Sequence, residues 1–194
     1  MALPTVDSLP SLALPAPDLA RADGLEAELL DLFDAAAPSL TRYVRGCGLP
    51  ADISDDIVQE AFVALFRHLD LGRSRDNLRG WLFTVVHRQA QKHRRRLARR
   101  RAVEWVVEPV VIEAQPSSHA DPEVAYLARE SQRRLQEAFV GLPERQQQAL
   151  LLRAEGLTYR EMATVLGISL GSVAKTVARA LARLSSVDGE TSCA

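Results

Sequence analysis

Residues 143–184 carry the clearest structural signal in the chain and read PERQQQALLLRAEGLTYREMATVLGISLGSVAKTVARALARL. The pattern predicts a helix, a short second helix, a tight turn and a third helix. Thr158 can cap the short helix, and Glu161, three residues later, completes a capping box. Gly167 then ends that helix, and Ser169 can cap the next one. The stretch therefore predicts a helix-turn-helix.

The last helix of this stretch has two different faces. Its apolar residues, which we expect to be buried, are Val173, Val177, Leu181 and Leu184. Its outward residues, spaced by three and four, are Ser172, Lys175, Thr176, Arg179 and Arg183. A small, polar and cationic face is what a helix needs to enter the major groove of DNA. An ordinary helical hairpin is the alternative, because capping boxes and glycine turns occur in many helical proteins.

Charge is strongly segregated along the 194 residues, although the formal net charge is only −1. Counting Lys and Arg against Asp and Glu, residues 1–70 sum to −8, residues 73–101 to +10 and residues 102–194 to −3. An acidic block beside a basic block suggests two different partner surfaces, and solvated helix faces are the plainer interpretation. Aromatic residues make up only 5% of the chain, while Ala, Leu and Arg are abundant, which favours helices over strands.

Several classes of protein are disfavoured. Cys47 and Cys193 are far apart, so they predict neither a disulfide framework nor a metal site. The four histidines lack the spacing of metal ligands, and the chain has neither a glycine-rich phosphate loop nor a nucleophile elbow. No apolar run approaches the roughly 18 residues of a membrane span. We therefore expect no catalytic site, no metal, no cofactor and no membrane insertion, and a cytoplasmic protein.

Composition divides the chain into two helical parts. We predict an all-α fold with two small helical domains joined by a flexible linker, the second containing the helix-turn-helix. The predicted boundaries are a disordered leader at 1–23, a first domain at 24–103, a linker at 104–122, a second domain at 123–186 and a tail at 187–194. Four prolines mark the leader, and β-branched residues with three prolines mark the linker.

Three helices are predicted in the first domain. The first begins near Gly24 and has a buried stripe that includes Phe33, and Pro38 inside it predicts a kink or a restart. The second has an apolar row that Phe66 widens. The third runs from about Leu78 to Arg101, and its second half becomes so basic that it must face solvent or a polyanion.

Two faces of these helices are candidates for binding. The third helix presents a basic ridge suited to phosphates, formed by Arg88, Lys92, Arg95 and Arg99. Trp81, a turn or two earlier, is either a core residue or a platform for an unpaired base. The second helix carries acidic and amide side chains opposite its apolar row, namely Asp52, Asp55, Asp56, Gln59 and Glu60. They either decorate a solvated face or dock a basic partner.

Three stretches together resemble the sigma-70 family of bacterial initiation factors, in its extracytoplasmic-function group. The first is DDIVQEAF at 55–62, and the second is LRGWLFTVVHRQA at 78–90 with the arginine run that follows. The third runs from LPERQ at 142–146 through GLTY at 156–159 and LGIS at 166–169 to GSV at 171–173. They stand in the family's order and at about its spacing. The resemblance covers roughly residues 25–103 and 123–185.

The resemblance implies partners and a role for each candidate residue. It implies that Asp55, Asp56, Gln59 and Glu60 bind core RNA polymerase. It implies that a loop near residues 71–77 holds a flipped base, and that the −10 promoter element, as duplex and as opened strand, contacts Asn77, Trp81, Thr84, His87, Arg88, Lys92 and Arg95. It implies that the −35 element contacts Thr158, Tyr159, Arg160, Ser169, Ser172, Lys175, Thr176 and Arg179. An anti-sigma factor is a further partner common in the group.

The chain departs from the family's pattern at Ala174 and Thr176, where relatives often carry Lys and Arg. This departure predicts a weaker grip on duplex DNA or a different −35 sequence. Two alternatives stay open at this point: a stand-alone helix-turn-helix regulator that binds duplex DNA without polymerase, and an interaction adaptor that has lost DNA binding.

Overall fold

The computed structural model describes residues 19–101 and 122–189, and all regular structure in these residues is helical. The described helices are α1 (Leu19–Gly46), α2 (Ala51–Asp70), α3 (Leu78–Arg101), α4 (Pro122–Val140), α5 (Glu144–Ala154), α6 (Tyr159–Leu166) and α7 (Leu170–Gly189). The predicted all-α fold is confirmed. The rest of the predicted leader, linker and tail, at residues 1–18, 102–121 and 190–194, lies outside the described residues.

The first unit consists of α1, α2 and α3 packed around one apolar core. The largest fully buried side chains from these helices are Leu40, Tyr43, Val44, Ile57, Leu65, Leu82, Phe83 and Val86. α3 has the predicted bounds, whereas α1 begins at Leu19, five residues before the predicted start near Gly24. Those five residues, LARAD, are mostly good helix formers and follow the last proline of the leader.

α1 continues through Pro38, so the predicted alternative of a helix restart is wrong. Proline removes one backbone hydrogen bond and crowds the carbonyl one turn earlier. Pro38 is on the exposed side of α1, where water can satisfy the freed carbonyl, and the buried residues on both sides of it hold the helix together.

Two aromatic residues that we expected to be buried are largely exposed. Phe33 is 40% exposed and Phe66 is 44% exposed, although the Phe33 ring packs on Phe62 with centroids 4.8 Å apart. α3 packs on both α1 and α2 but leaves these two rings partly uncovered. Leu30 and Val63 of the same two helices are exposed as well.

The second unit consists of α4 to α7 and contains the predicted helix-turn-helix. Both halves of the capping box between Thr158 and Glu161 are formed, and Gly167 ends α6 in the left-handed conformation at φ 64°. The Oγ atom of Ser169 accepts a hydrogen bond from the Ser172 amide, 3.2 Å away, and caps α7. These predictions are confirmed.

Leu181 is the exception in this unit. We expected it to be buried, but it is 54% exposed, because Ala180 occupies the inward position beside it. The buried residues of the helix-turn-helix are Leu157, Met162, Val165, Val173, Val177 and Ala180.

The two units share one hydrophobic core in the described residues. α6 packs on α3, and the end of α1 approaches α5 so closely that a Cβ atom at Gly46 would lie 2.5 Å from a methyl carbon of Leu151. In the same residues, no single helix is long and apolar enough to cross a membrane, and only α6 with α7, bent by 100°, would pass as a pair on length and composition.

Candidate nucleic-acid interface

The acidic face of α2 is open to solvent. Asp55, Asp56, Gln59 and Glu60 are all exposed, in the arrangement that the sequence predicts. Asp55 lies 3.9 Å from Arg45, but both side chains are about half exposed, and such surface pairs contribute at most about 1 kcal/mol. The four side chains are therefore available to an outside partner.

The acidic face continues into an apolar one. Val63 and Phe66 follow Gln59 by four and seven residues, so they lie on the same side of α2, and both are exposed. An apolar patch bordered by charge is a common form of protein-binding surface. This extension was not predicted, because the helical period of α2 places Phe66 beside the buried row.

Asn77 immediately precedes α3 and has a structural role of its own. Its φ of 49° is left-handed, and its Oδ1 atom accepts a hydrogen bond from the Gly80 amide at 3.0 Å. This side chain therefore caps α3, and its amide also makes a hydrogen bond with the Glu161 carboxylate of the second unit. A Cβ atom at residue 80 would lie 2.5 Å from Asn77 Nδ2, which explains why glycine occupies the position.

The loop before α3 is organised by its own side chains and by His68. Ser74 Oγ donates a hydrogen bond to Asp76 Oδ2 at 2.8 Å, and His68 Nε2 lies 2.9 Å from the Ser74 carbonyl. The His68 ring also packs on Trp81 with centroids 4.9 Å apart. His68 thus connects the loop to the half-buried Trp81. Sequence analysis missed it, because no spacing rule pairs residues on two different helices.

Thr84 and His87 are engaged inside the protein. Thr84 Oγ1 donates a hydrogen bond to the Gly80 carbonyl at 2.9 Å. His87 Nδ1 lies 2.6 Å from the hydroxyl of the fully buried Tyr43. Burial lowers the pKa of His87 to about 4 and raises that of Tyr43 well above its ordinary value. Tyr43 therefore keeps its proton, the imidazole beside it is neutral, and the two groups share one hydrogen bond.

The remaining cations of the −10 set lie along one exposed ridge of α3. Arg88, Lys92 and Arg95 are exposed, as a phosphate-binding ridge requires. Arg94, next to this ridge, is turned instead toward Glu144 of α5, 3.1 Å away. The ridge is thus open to an outside ligand, whereas Arg94 is bound to the second unit.

The second unit places its candidate residues at the amino ends of α6 and α7. Lys175 and Arg179 are exposed on the outer face of α7, with Ser172 on the same face. Thr176 Oγ1 donates to the Ser172 carbonyl at 2.7 Å, and the hydroxyl groups of Ser169 and Ser172 lie 2.8 Å apart. The hydroxyls thus serve largely to shape the helix, and Lys175 and Arg179 carry the charge of this part of its outer face.

The amino end of α6 lies beside this face. Tyr159 is 37% exposed, and the Arg153 guanidinium lies 5.6 Å from its ring centroid. Arg160 is exposed as well. Thr158 is occupied by its capping box, and the hydrogen bond from its backbone amide is the main cause that lowers the pKa of Glu161.

Two family models match the chain, one in each unit. The model described as Sigma-70 region 2 matches residues 32–100, and that described as Sigma-70, region 4 matches residues 132–184. The ECF RNA polymerase sigma factor EcfG of Rhodopseudomonas palustris is 32% identical over 171 residues, which cover 85% of this chain and 89% of the relative. The ECF RNA polymerase sigma-E factor of Escherichia coli is 29% identical over 150 residues, or 74% of this chain and 75% of the relative.

Two solved structures share the helical fold. The sigma factor RpoE of Bartonella quintana, solved in complex with the anti-sigma factor NepR, aligns with a TM-score of 0.63 and 20% identity, covering 82% of this chain and 96% of that one. CnrH, solved in complex with the cytosolic domain of CnrY, aligns with a TM-score of 0.58 and 23% identity, covering 89% and 94%.

Proposed function

Since the chain belongs to the sigma-70 family, in its extracytoplasmic-function group, we propose which of its residues perform the steps of transcription initiation. It is an RNA polymerase sigma factor, which binds core polymerase and promoter DNA. Membership across both units decides against the stand-alone regulator and the adaptor. We assign it no catalytic step, and we place it in the cytoplasm, where the polymerase meets the chromosome.

The exposed acidic face of α2 carries this proposal. Asp55, Asp56, Gln59 and Glu60 dock on a basic surface of core polymerase, and Val63 and Phe66 extend the contact with apolar area. Complementary charge speeds the encounter and selects the partner, while the apolar contacts slow its dissociation.

The −10 element is the proposed ligand of the loop 71–77 and α3. Arg88, Lys92 and Arg95 hold the phosphates, and Trp81 and Asn77 lie at the end of the helix where the strands separate. Separating DNA costs about 1.4 kcal/mol per base-pair step. Each extruded base that stacks on the protein returns roughly 1–3 kcal/mol. Capture of a few bases can therefore balance local opening without ATP. His87 can contact DNA only after its hydrogen bond with Tyr43 has broken. Thr84 lies one turn before it on α3, and we propose that it contacts the same DNA.

The −35 element is the proposed ligand of the amino ends of α6 and α7. Lys175 and Arg179 hold phosphates or guanine edges in the major groove, and the smaller groups surround them, namely Thr158, Tyr159, Arg160, Ser169, Ser172 and Thr176. With only two cations on the outer face of the first turns of α7, the contact is modest. An anti-sigma factor is a further proposed partner, since the two solved structures described above each contain a second protein.

In-vitro transcription with core polymerase and a library of promoter templates tests this function. The wild-type chain should bind core polymerase in a pull-down and produce specific transcripts. We expect the double charge reversal Asp56→Arg with Glu60→Arg to lose at least tenfold in affinity for core and to give no transcript, with an unchanged helical spectrum.

The matched control reverses Asp31 and Asp34, two exposed carboxylates of α1, to arginine. It makes the same change in net charge outside the acidic face and should retain affinity for core. Normal binding of the α2 double variant would contradict the docking assignment, and a wild-type chain that starts no transcript on any template would contradict the proposed function.

A further inference from the structure

The backbone that leaves α2 and enters the loop 71–77 turns sharply. Gly72 takes a left-handed φ of 67°, and its amide donates a hydrogen bond to the Leu69 carbonyl at 2.9 Å. The Arg73 amide donates to the His68 carbonyl at 3.2 Å. These two hydrogen bonds form the Schellman arrangement, which reverses the chain at the carboxyl end of a helix. The loop therefore returns beside the last turn of α2.

His68, in that last turn, holds the loop with its side chain as well. Its Nε2 atom lies 2.9 Å from the Ser74 carbonyl. A carbonyl oxygen can only accept, so Nε2 carries the hydrogen and donates it. Arg75 forms an ion pair with Glu28 of α1, so the loop is anchored to two helices before any ligand arrives. A loop that is already ordered loses less conformational freedom on binding, which strengthens the contacts it makes.

The same imidazole contacts the ring of Trp81. The two ring centroids are 4.9 Å apart, and the ring planes are inclined by 44°. Tilted aromatic pairs of this kind are favourable, and this one restricts the indole while leaving Trp81 half-exposed. The Trp81 amide donates to the Asn77 carbonyl at 3.0 Å, so the backbone of Trp81 is fixed too. His68 thus connects two parts of the surface to which we assign the opened strand.

We propose that His68 is a positioning residue for promoter opening. Its Nε2–H group fixes the loop at Ser74 and its ring holds the Trp81 indole, so that loop and indole form one preorganised surface for the unstacked bases of the −10 element. The inference rests on the proposed function. The acidic face of α2 lies about two turns earlier on the helix, so loss of the imidazole should slow opening without weakening the docking on core polymerase.

Two substitutions separate the two contacts of this side chain. His68→Gln keeps an N–H donor for the Ser74 carbonyl and removes the ring, whereas His68→Phe keeps a ring against Trp81 and removes the donor. Trypsin cleavage after Arg73 and Arg75, both exposed, reports on the loop in the full chain. We expect His68→Phe to raise the cleavage rate at least threefold and His68→Gln to leave it within twofold of wild type. Equal rates in all three chains would overturn the loop contact.

The rate of promoter opening tests the contact with the indole. Permanganate reactivity of promoter thymines, followed in time at saturating holoenzyme, gives this rate separately from affinity. We expect His68→Gln to lower it at least threefold in the wild-type background and to change it less than twofold in the Trp81→Ala background, because an absent ring cannot be positioned. A packing contact that only stabilises the fold would lower the rate equally in both backgrounds. Equal losses would therefore overturn the proposal, as would no loss in either.

Two controls keep the outcomes apart. Asp70→Asn, an exposed change in the same turn of α2, should match wild type in both assays. On a template mismatched across the −10 element the strands are already separate, so His68→Gln should transcribe it within twofold of wild type. A loss there as large as on the duplex would overturn a role in opening. A wild-type chain that opens no promoter would instead contradict the proposed function, so the two failures are distinguishable.

Discussion

The start of α3 shows that a residue predicted to contact DNA also has a structural role. Asn77 was expected to contact DNA, and in the structure its Oδ1 atom caps the helix while its backbone takes a left-handed conformation. Asparagine tolerates that conformation better than most residues, and glycine at residue 80 leaves room for its amide. The sequence indicated that these residues matter, but the local fit between them depends on backbone angles that a pattern does not contain.

Replacement of this glycine should therefore destabilise the protein. A Cβ atom in Gly80→Ala would collide with Asn77 Nδ2 and displace the cap, so we expect the free energy of unfolding to fall by about 1 kcal/mol. Urea titration measures it. The control is Gly171→Ala, where no atom lies within 4 Å of the new Cβ and alanine should be neutral or stabilising. Equal effects at both positions would contradict the argument.

Trp81 was predicted to be either a core residue or a platform for an unpaired base. Its side chain is half buried against the core, and its ring packs on His68. We expect Trp81→Ala to leave core binding within twofold of wild type and to reduce promoter opening at least tenfold, because a base loses its stacking surface. Permanganate reactivity of promoter thymines measures the opening. Leu181→Ala, an exposed apolar truncation in the second unit, is the control. Unchanged thymine reactivity in Trp81→Ala would refute the stacking role.

At the scale of the helix, period and capping signals predicted most of what is observed. The bounds of α3 and the caps of α6 and α7 follow from residues within a turn of each other. Exposure was harder to predict, since a period shows which residues share a face but not how far a neighbouring helix covers it. Phe33, Phe66 and Leu181 lie at the margins of apolar stripes, and all three are exposed.

α7 should contribute to DNA affinity chiefly through two charges. Each phosphate contact contributes about −0.9 to the slope of log K against log salt. We therefore expect Lys175→Ala with Arg179→Ala to make that slope shallower by about 1.8, measured for holoenzyme on a duplex −35 fragment.

The control for this change in slope is Arg133→Ala with Arg134→Ala on α4. It removes the same charge, but both guanidiniums are held by Glu130, and Arg133 also binds Glu137. We expect its slope to equal that of wild type. Equal slopes for the α7 and α4 variants would show that α7 does not bind phosphate there.

For the whole molecule, the sequence predicted two helical units and did not predict that they pack together. Arg42 donates hydrogen bonds to Glu155 of the second unit, 113 residues later, and nothing in their local surroundings distinguishes them from solvated surface charges. The segregation of charge pointed to outside partners for the basic block. In the structure, Arg79 and Arg94 of that block bind the chain's own second unit. Packing between units depends on three-dimensional complementarity, which local spacing does not encode.

This packing places His87 where protonation is costly. Its ring faces Tyr43 of α1, borders the cleft beside α5, and has Glu144, Arg88 and Arg94 as charged neighbours. Burial is the main cause of its pKa of about 4, whereas the pKa of a histidine in an unfolded chain is about 6.5. Between these two values the unfolded chain binds a proton that the folded chain does not, so folding stability decreases as the pH falls through this range.

Replacing His87 should remove this part of the pH dependence. We expect the free energy of unfolding of wild type to fall between pH 6.5 and 4 by up to about 3 kcal/mol more than that of His87→Gln, as urea titrations at each pH would show. The difference between the two profiles removes the pH dependence of the carboxylates, which both chains share. Tyr43→Phe should keep the steeper dependence, because the imidazole stays buried without its hydrogen bond. If wild type and His87→Gln gave parallel profiles, His87 would be solvated in solution, and α5 would not be covering it.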